Sequence, residues 1–166
     1  GTFEVLRKLG EGGFGVVYHV RLRNAEGVFA LKTFRDELLT DPATRESFKK
    51  EALLWSNLQS HPCIVAARWV QEFHGRLFVM MDYLPADSAG RVNLADHLGH
   101  GSLDANVALK WGIQFCHGME HAIAHGIHCH RDIKPANILI AQDGTLKIAD
   151  FGLAAVAEIR HVLTDR

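Results

Sequence analysis

Gly10-Glu11-Gly12-Gly13-Phe14-Gly15 is a G-x-G-x-x-G loop, and the residues directly after it limit the fold more than any other feature of the chain. A dinucleotide-binding unit needs a helix to open directly after the third glycine, so that the pyrophosphate meets the helix N-terminus. Here Gly15 runs into Val16-Val17-Tyr18-His19-Val20, a β-branched and aromatic run that reads as a strand. A Walker-type phosphate loop needs Gly-Lys-Ser/Thr at its end, and Gly15 is followed by Val16. What is left is a glycine hairpin between two strands. It is either a plain flexible turn or a cover over nucleotide phosphates, which glycine backbone N–H groups can approach closely.

The elements around the loop fit a β-rich first part. Phe3, Val5 and Leu9 form a broken alternation, Asn24-Ala25-Glu26-Gly27 is turn chemistry, and Val28 to Phe34 reads as a third strand of an antiparallel meander. Asp41-Pro42 announces a helix, with a carboxylate N-cap and proline at the first helical position. Phe48, Ala52 and Trp55 recur at helical spacing through about Leu58, and His61-Pro62 ends the element. Strands follow at Ile64 to Phe73 and Leu77 to Tyr83. Pro85 to Val92 reads as a linker into a mostly helical second part. There Asp104, or else Ser102, caps a long helix with the stripe Val107, Trp111, Phe115, Met119 and Ala122/Ile123, stopped by Gly126. Gly112 and Gly118 inside it are tolerable in a buried helix. A polar loop from His128 to Asn137 and strands at Ile138 to Ala141 and Thr145 to Ala149 complete the pattern.

Composition excludes several classes of function. The 18 Lys+Arg against 19 Asp+Glu give a net charge of −1, which leaves no basic excess for nucleic acid or an anionic membrane. The longest apolar runs, Leu77 to Met81 and Phe151 to Ala157, fall far short of the ~18 residues of a membrane span. The 3 cysteines, Cys63, Cys116 and Cys129, form no Cys-x-x-Cys pair. Their odd number fits small core residues in a reducing compartment, so a cytoplasmic location is expected.

Lys32 in Phe29-Ala30-Leu31-Lys32 stands on the third strand among apolar residues, where it needs an anion, either a phosphate or a carboxylate. Glu51, on the first helix, could supply the carboxylate. Then come His130-Arg131-Asp132-Ile133-Lys134-Pro135-Ala136-Asn137 and Asp150-Phe151-Gly152. With these in order after the glycine loop, the chain resembles the eukaryotic-type (Hanks-type) protein kinases from Phe3 through Leu153. Lys134 follows the serine/threonine pattern, and the style of Phe115 to Asn137 suggests a bacterial member.

The resemblance implies an α+β, protein-kinase-like bilobal fold. Residues 1–84 would be an antiparallel β-sheet N-lobe with one main helix, and 85–166 the first, incomplete part of a mostly helical C-lobe. It implies ATP and Mg²⁺, with Mn²⁺ as a substitute, and transfer of the γ-phosphate to Ser/Thr hydroxyls of protein substrates. Gly10, Gly12 and Gly15 would cover the phosphates, with Leu9, Glu11, Gly13 and Phe14 also among the nucleotide-binding residues, and Lys32 would hold the α- and β-phosphates while pairing with Glu51. Val17 and Ala30 would cover one face of the adenine and Leu139 the other. Met81 matches the gatekeeper position, with Asp82, Tyr83 and Leu84 as a hinge bonding the base through its backbone. Asp132 would take the hydroxyl proton, Lys134 would reach the γ-phosphate, and Asn137 and Asp150 are oxygen ligands suited to Mg²⁺. Trp55 stands where the family usually has a smaller aliphatic residue. Arg131 suggests control by phosphorylation in the following segment, where Thr164 is the hydroxyl residue present.

Rival readings are a pseudokinase or nucleotide-binding scaffold, which would usually lack the equivalents of Lys32, Asp132 or Asp150, and a small-molecule phosphotransferase. Of the 11 histidines, His117, His121 and His125 share one helix face, but no His-Glu-x-x-His arrangement supports a zinc site. The chain stops before the Ala-Pro-Glu motif of the family. It is therefore expected to be a fragment of a longer protein with further domains, weakly active or inactive alone, and with apolar surface left bare on the Val107–Ile123 helix.

Overall fold

The computed structural model describes residues 3–13, 15–23, 26–35, 41–99 and 101–151. The turn residues Asn24 and Ala25, Phe14 of the glycine loop, and the stretch containing Gly152, Leu153 and Thr164 lie outside them. The chain forms two compact units. One takes in the described residues up to Asn57 together with Ala66–Tyr83; the other takes in Leu58–Val65 and the described residues from Leu84 onward.

In the first unit β1 (Phe3–Glu11), β2 (Gly15–Leu22) and β3 (Val28–Phe34) form the expected antiparallel meander. β3 then pairs with β5 (Arg76–Asp82), and β4 (Ala67–Phe73) takes the edge, giving the order β1-β2-β3-β5-β4. The strand carrying Lys32 is thus central, and Ala30, Leu31 and Phe34 of β3 pack in the core with Leu77, Val79 and Met81 of β5. Helix α1 (Pro42–Ser56) begins as Asp41-Pro42 dictates: Asp41 Oδ2 accepts from the Thr44 N–H at 2.7 Å. Phe48, Ala52 and Trp55 are buried at the expected spacing, and the Phe48 ring lies 5.2 Å from that of Phe34.

The strand expected at Ile64 begins only at Ala67. Residues before it are committed elsewhere: in the second unit the Val65 N–H donates to the Ile148 carbonyl and the Ile148 N–H to the Cys63 carbonyl, both at 2.9 Å. Cys63, Ile64 and Val65 are all buried there.

The second unit contains a short helix, α2 (Leu94–Leu98), that hydrophobic patterning alone does not mark, although Asn93 and Asp96 form a reciprocal capping box. Helix α3 (Ala105–Ala124) is capped by Asp104, and Gly126 follows its end at φ +91°. Strands β6 (Ile138–Ile140) and β7 (Leu146–Ile148) form a hairpin against it. The buried stripe of α3 is Trp111, Gly118 and Ala122, whereas Val107 and Ile123, expected in it, are 36% and 48% exposed. The hairpin sets that rotation, since the Trp111 indole donates to the Gly144 carbonyl at 3.1 Å and Gln114 Oε1 accepts from the Leu146 N–H at 3.0 Å. Between α2, α3 and the hairpin an apolar cavity of about 410 Å³ opens, lined by Leu98, Trp111, Phe115, Ile133, Ile138 and Leu146 among others. Cys63 is buried, but Cys116 and Cys129 are exposed, so only one of the three free thiols is the core residue expected.

The two α3 glycines differ in kind. Gly112 is exposed with open space about it, not buried as expected. A Cβ on Gly118 would sit 2.8 Å from Ile148 Cδ1 and 3.0 Å from the Cys63 carbonyl oxygen. Gly112→Ala is therefore expected to raise stability by about 0.5–1 kcal/mol. Gly118→Ala should lower it by about 1–3 kcal/mol through overpacking. Denaturant midpoints of the two variants check both signs.

Candidate active site

The first unit supplies the glycine loop and the strand lysine. Gly15 pairs with Phe34 so closely that a Cβ there would run into the Thr33 carbonyl, which is why the residue between loop and strand is glycine. The loop is closed by a bond from the Gly12 N–H to the Gly15 carbonyl at 2.9 Å. Arg35, just beyond β3, donates to the Gly12 carbonyl and to Glu11 Oε1, each at 3.2 Å, and Lys8 donates to Glu11 Oε2 at 3.0 Å. Sequence reasoning did not find the Arg35 clasp, because a basic residue after a strand carries no signal of its target. Gly10 and Gly13 stand in open space at the same loop, and Leu9 beside them is half-buried.

Lys32 is 6% exposed, with its Nζ 5.6 Å from the centre of the Phe34 ring. Glu51 is half-buried on α1 next to the buried Ala52. Val17 lies opposite Lys32 across β2–β3, and Ala30 opposite Met81 across β3–β5, with Ala30 and Met81 both buried. Asp82 closes β5, and Tyr83 follows it with its ring stacked 3.9 Å from that of His19 and its hydroxyl accepting from Arg7 at 3.1 Å.

In the second unit Leu84 is buried and Leu139 half-buried on β6. The polar loop is built around His130, which is 1% exposed. Its Nε2–H donates to the Ala149 carbonyl at 2.8 Å and its Nδ1 accepts from the Asp132 N–H at 3.3 Å, while its ring packs 4.8 Å from that of Phe151. Those two bonds require the neutral Nε2–H tautomer. Asp132 Oδ2 accepts from Lys134 Nζ and from Asn137 Nδ2, both at 2.7 Å. Asn137 Nδ2 also reaches the Asp132 carbonyl at 2.9 Å. Both amide hydrogens of Asn137 therefore point at Asp132, which leaves its Oδ1 as a ligand oxygen. The Ala149 N–H donates to the Asn137 main-chain carbonyl at 3.0 Å, so the backbone leading into Asp150 runs against that of Asn137. Two side-chain oxygens with the other positions left to water and phosphate fit a hard divalent cation such as Mg²⁺. Arg131 and Asp150 take φ of +65° and +62°, left-handed conformations that cost non-glycine residues energy and cluster at functional sites. Among the described residues the histidines of α3 form no metal-holding group.

Burial holds the His130 pKa below the usual histidine value of 6.5, against the opposing pull of the Ala149 bond and of Asp150 and Asp132. The unfolded chain takes up that proton first as pH falls. The stability given by neutral His130 is thus complete above pH 6.5 and drains away as pH drops toward the lowered pKa. His61 shifts the same way, through burial and then through His121, His117 and Lys147. The melting temperature is expected to fall between about pH 7 and 5, and to fall less steeply in His130→Gln. Calorimetric scans across that range provide the check.

The family model described as "Protein kinase domain" matches residues 3–165. A probable serine/threonine-protein kinase of Clostridium perfringens is 35% identical over 153 residues, covering 92% of this chain and 21% of that protein. The CBL-interacting protein kinase 10 of Oryza sativa is 31% identical over 160 residues, covering 96% of this chain and 34% of that one. The crystal structure of the Mycobacterium tuberculosis PknI kinase domain is similar at a TM-score of 0.80 and 27% identity, over 93% of this chain and 59% of its own. The chain thus spans about a fifth to a third of the length of these curated relatives.

Proposed function

The chain belongs to the protein kinase domain family, and from that premise we propose that the protein it represents is an ATP-dependent serine/threonine kinase. The observation that carries the reading is the Asp132 carboxylate, with Lys134 and Asn137 both bonded to Oδ2 and no bond on Oδ1 among the described residues. Oδ1 is then the atom that accepts the proton of a substrate hydroxyl. As it does so, the hydroxyl oxygen forms its bond to the γ-phosphorus, the bond from that phosphorus to the β,γ-bridging oxygen breaks, and ADP carries away the electron pair. Lys134 offsets charge growing on the transferred group, and Lys32 holds the α- and β-phosphates in partnership with Glu51. The glycines of the loop and Leu9 cover the nucleotide. Val17, Ala30 and Met81 of the first unit, and Leu139 of the second, are the residues assigned to the adenine, whose edge is assigned to the backbone of Asp82, Tyr83 and Leu84. Asn137 and Asp150 hold the divalent cation, Mg²⁺ with Mn²⁺ as substitute, which neutralises phosphate charge when bound.

The substrates are Ser/Thr-bearing proteins. No helix among the described residues is long and apolar enough to cross a membrane. The three free cysteines support a reducing, cytoplasmic setting.

Transfer of labelled γ-phosphate to a generic protein substrate tests the reading in the full-length protein. Asp132→Asn is expected to lower kcat by about 10²–10⁴-fold. Lys32→Met should abolish measurable transfer. ATP binding without any transfer by the unaltered protein would instead support a nucleotide-binding scaffold.

A further inference from the structure

β4 does not pair evenly with β5. Ala67 lies opposite Met81 and Trp69 opposite Met80, so Arg68 is the extra residue of a β-bulge. A bulge bends its strand and re-aims the side chain it carries. Here the guanidinium reaches Asp82, with Nε donating to Oδ1 at 2.6 Å and Nη2 to Oδ2 at 2.9 Å. The Asp82 N–H meanwhile donates at 3.0 Å to the carbonyl of Ala66, the residue just before β4 begins. Asp82 is paired on its other side with Phe29 of β3. One residue is therefore fixed at its backbone from both sides and at its carboxylate by a two-point fork.

Exposed ion pairs usually contribute little, and Arg68 and Asp82 are 50% and 37% exposed. The exceptions are bidentate arginine–carboxylate pairs, whose two parallel bonds fix orientation as well as separation. Lysine could not reproduce that fork. The fork also does nothing for the core, since both side chains stand well exposed beside the Phe29–Asp82 pair that ends the β3–β5 ladder. What it does fix is the peptide plane at Asp82, where β5 ends.

We propose that Arg68 is a positioning residue for purine selection: through its fork on Asp82 it sets the direction of the backbone groups that read the adenine edge. This rests on the kinase reading under Proposed function. A base is discriminated by whether fixed donors and acceptors meet its edge. Slack at Asp82 therefore costs adenine more than guanine, whose edge presents the opposite pattern of hydrogen-bonding groups. General destabilisation of the fold would reduce the active fraction for both nucleotides equally and leave their ratio unchanged.

The test measures dissociation constants for ATP and GTP by calorimetry on the full-length protein, on Arg68→Gln, and on the exchanged pair Arg68→Asp with Asp82→Arg. Arg68→Gln is expected to reduce the ATP-over-GTP preference by about two- to fivefold, the range open to an exposed fork. The exchanged pair should recover most of that loss. An unchanged ratio in Arg68→Gln, or an exchanged pair no better than Arg68→Gln, overturns the role of Arg68 while leaving the kinase reading intact. Absence of any nucleotide binding by the unaltered protein overturns both.

Discussion

Both nitrogens of His130 are spent on backbone: one on the Ala149 carbonyl, the other on the Asp132 N–H. The remaining geometry of the second unit depends on that commitment. It brings the segment after β7 alongside the loop before β6, and the return bond from the Ala149 N–H to the Asn137 carbonyl closes the lacing. Arg131 and Asp150, the two left-handed residues of the site, each sit next to a laced position. Strain of about 1–3 kcal/mol at such residues persists only where the surroundings over-determine the backbone. A buried, neutral imidazole with no free rotamer supplies that constraint. The carboxylate of Asp132 and the amide of Asn137 are aimed as a result.

The first unit solves a similar problem on its surface, and with arginine. Arg35 grips the glycine loop through the Gly12 carbonyl and Glu11, and Arg68 grips Asp82 where β5 ends. In each case a guanidinium, with its five fixed donors, holds from the side the residues at which a strand ends. Glycine gives the loop its close approach to β3, and the flanking charge limits where that loop can go.

Much of this is legible in the residues because the signals are local. Asp41-Pro42 marks a helix start by its own chemistry, Gly15 before a β-branched run marks a hairpin, and the motif residues arrive in order. What escapes is set by partners distant in sequence. The stripe of α3 turns away from Val107 and Ile123 because the β6–β7 hairpin takes Trp111, Gln114 and Gly118. The start of β4 shifts because Ile148 claims Cys63 and Val65. The bulge at Arg68 depends on register against β5, and a single strand's sequence does not carry its register. The α2 helix is a different case: its Asn93/Asp96 box is visible, but five residues are too few for hydrophobic periodicity to register.

The eight-residue run Leu58–Val65 has a consequence for any attempt to take the molecule apart. By sequence it lies between α1 and β4; by packing it belongs with α3 and β7. Severing the chain in the loop at Pro85 to Val92 would leave Cys63, Ile64 and Val65, which are 6%, 4% and 1% exposed, on a fragment without Ile148 and Gly118 to cover them. The other fragment would carry Ile148 with both its backbone groups stripped of partners. The modules of this fold are therefore not contiguous stretches of sequence, and two halves made separately would have to exchange this octapeptide before either was complete.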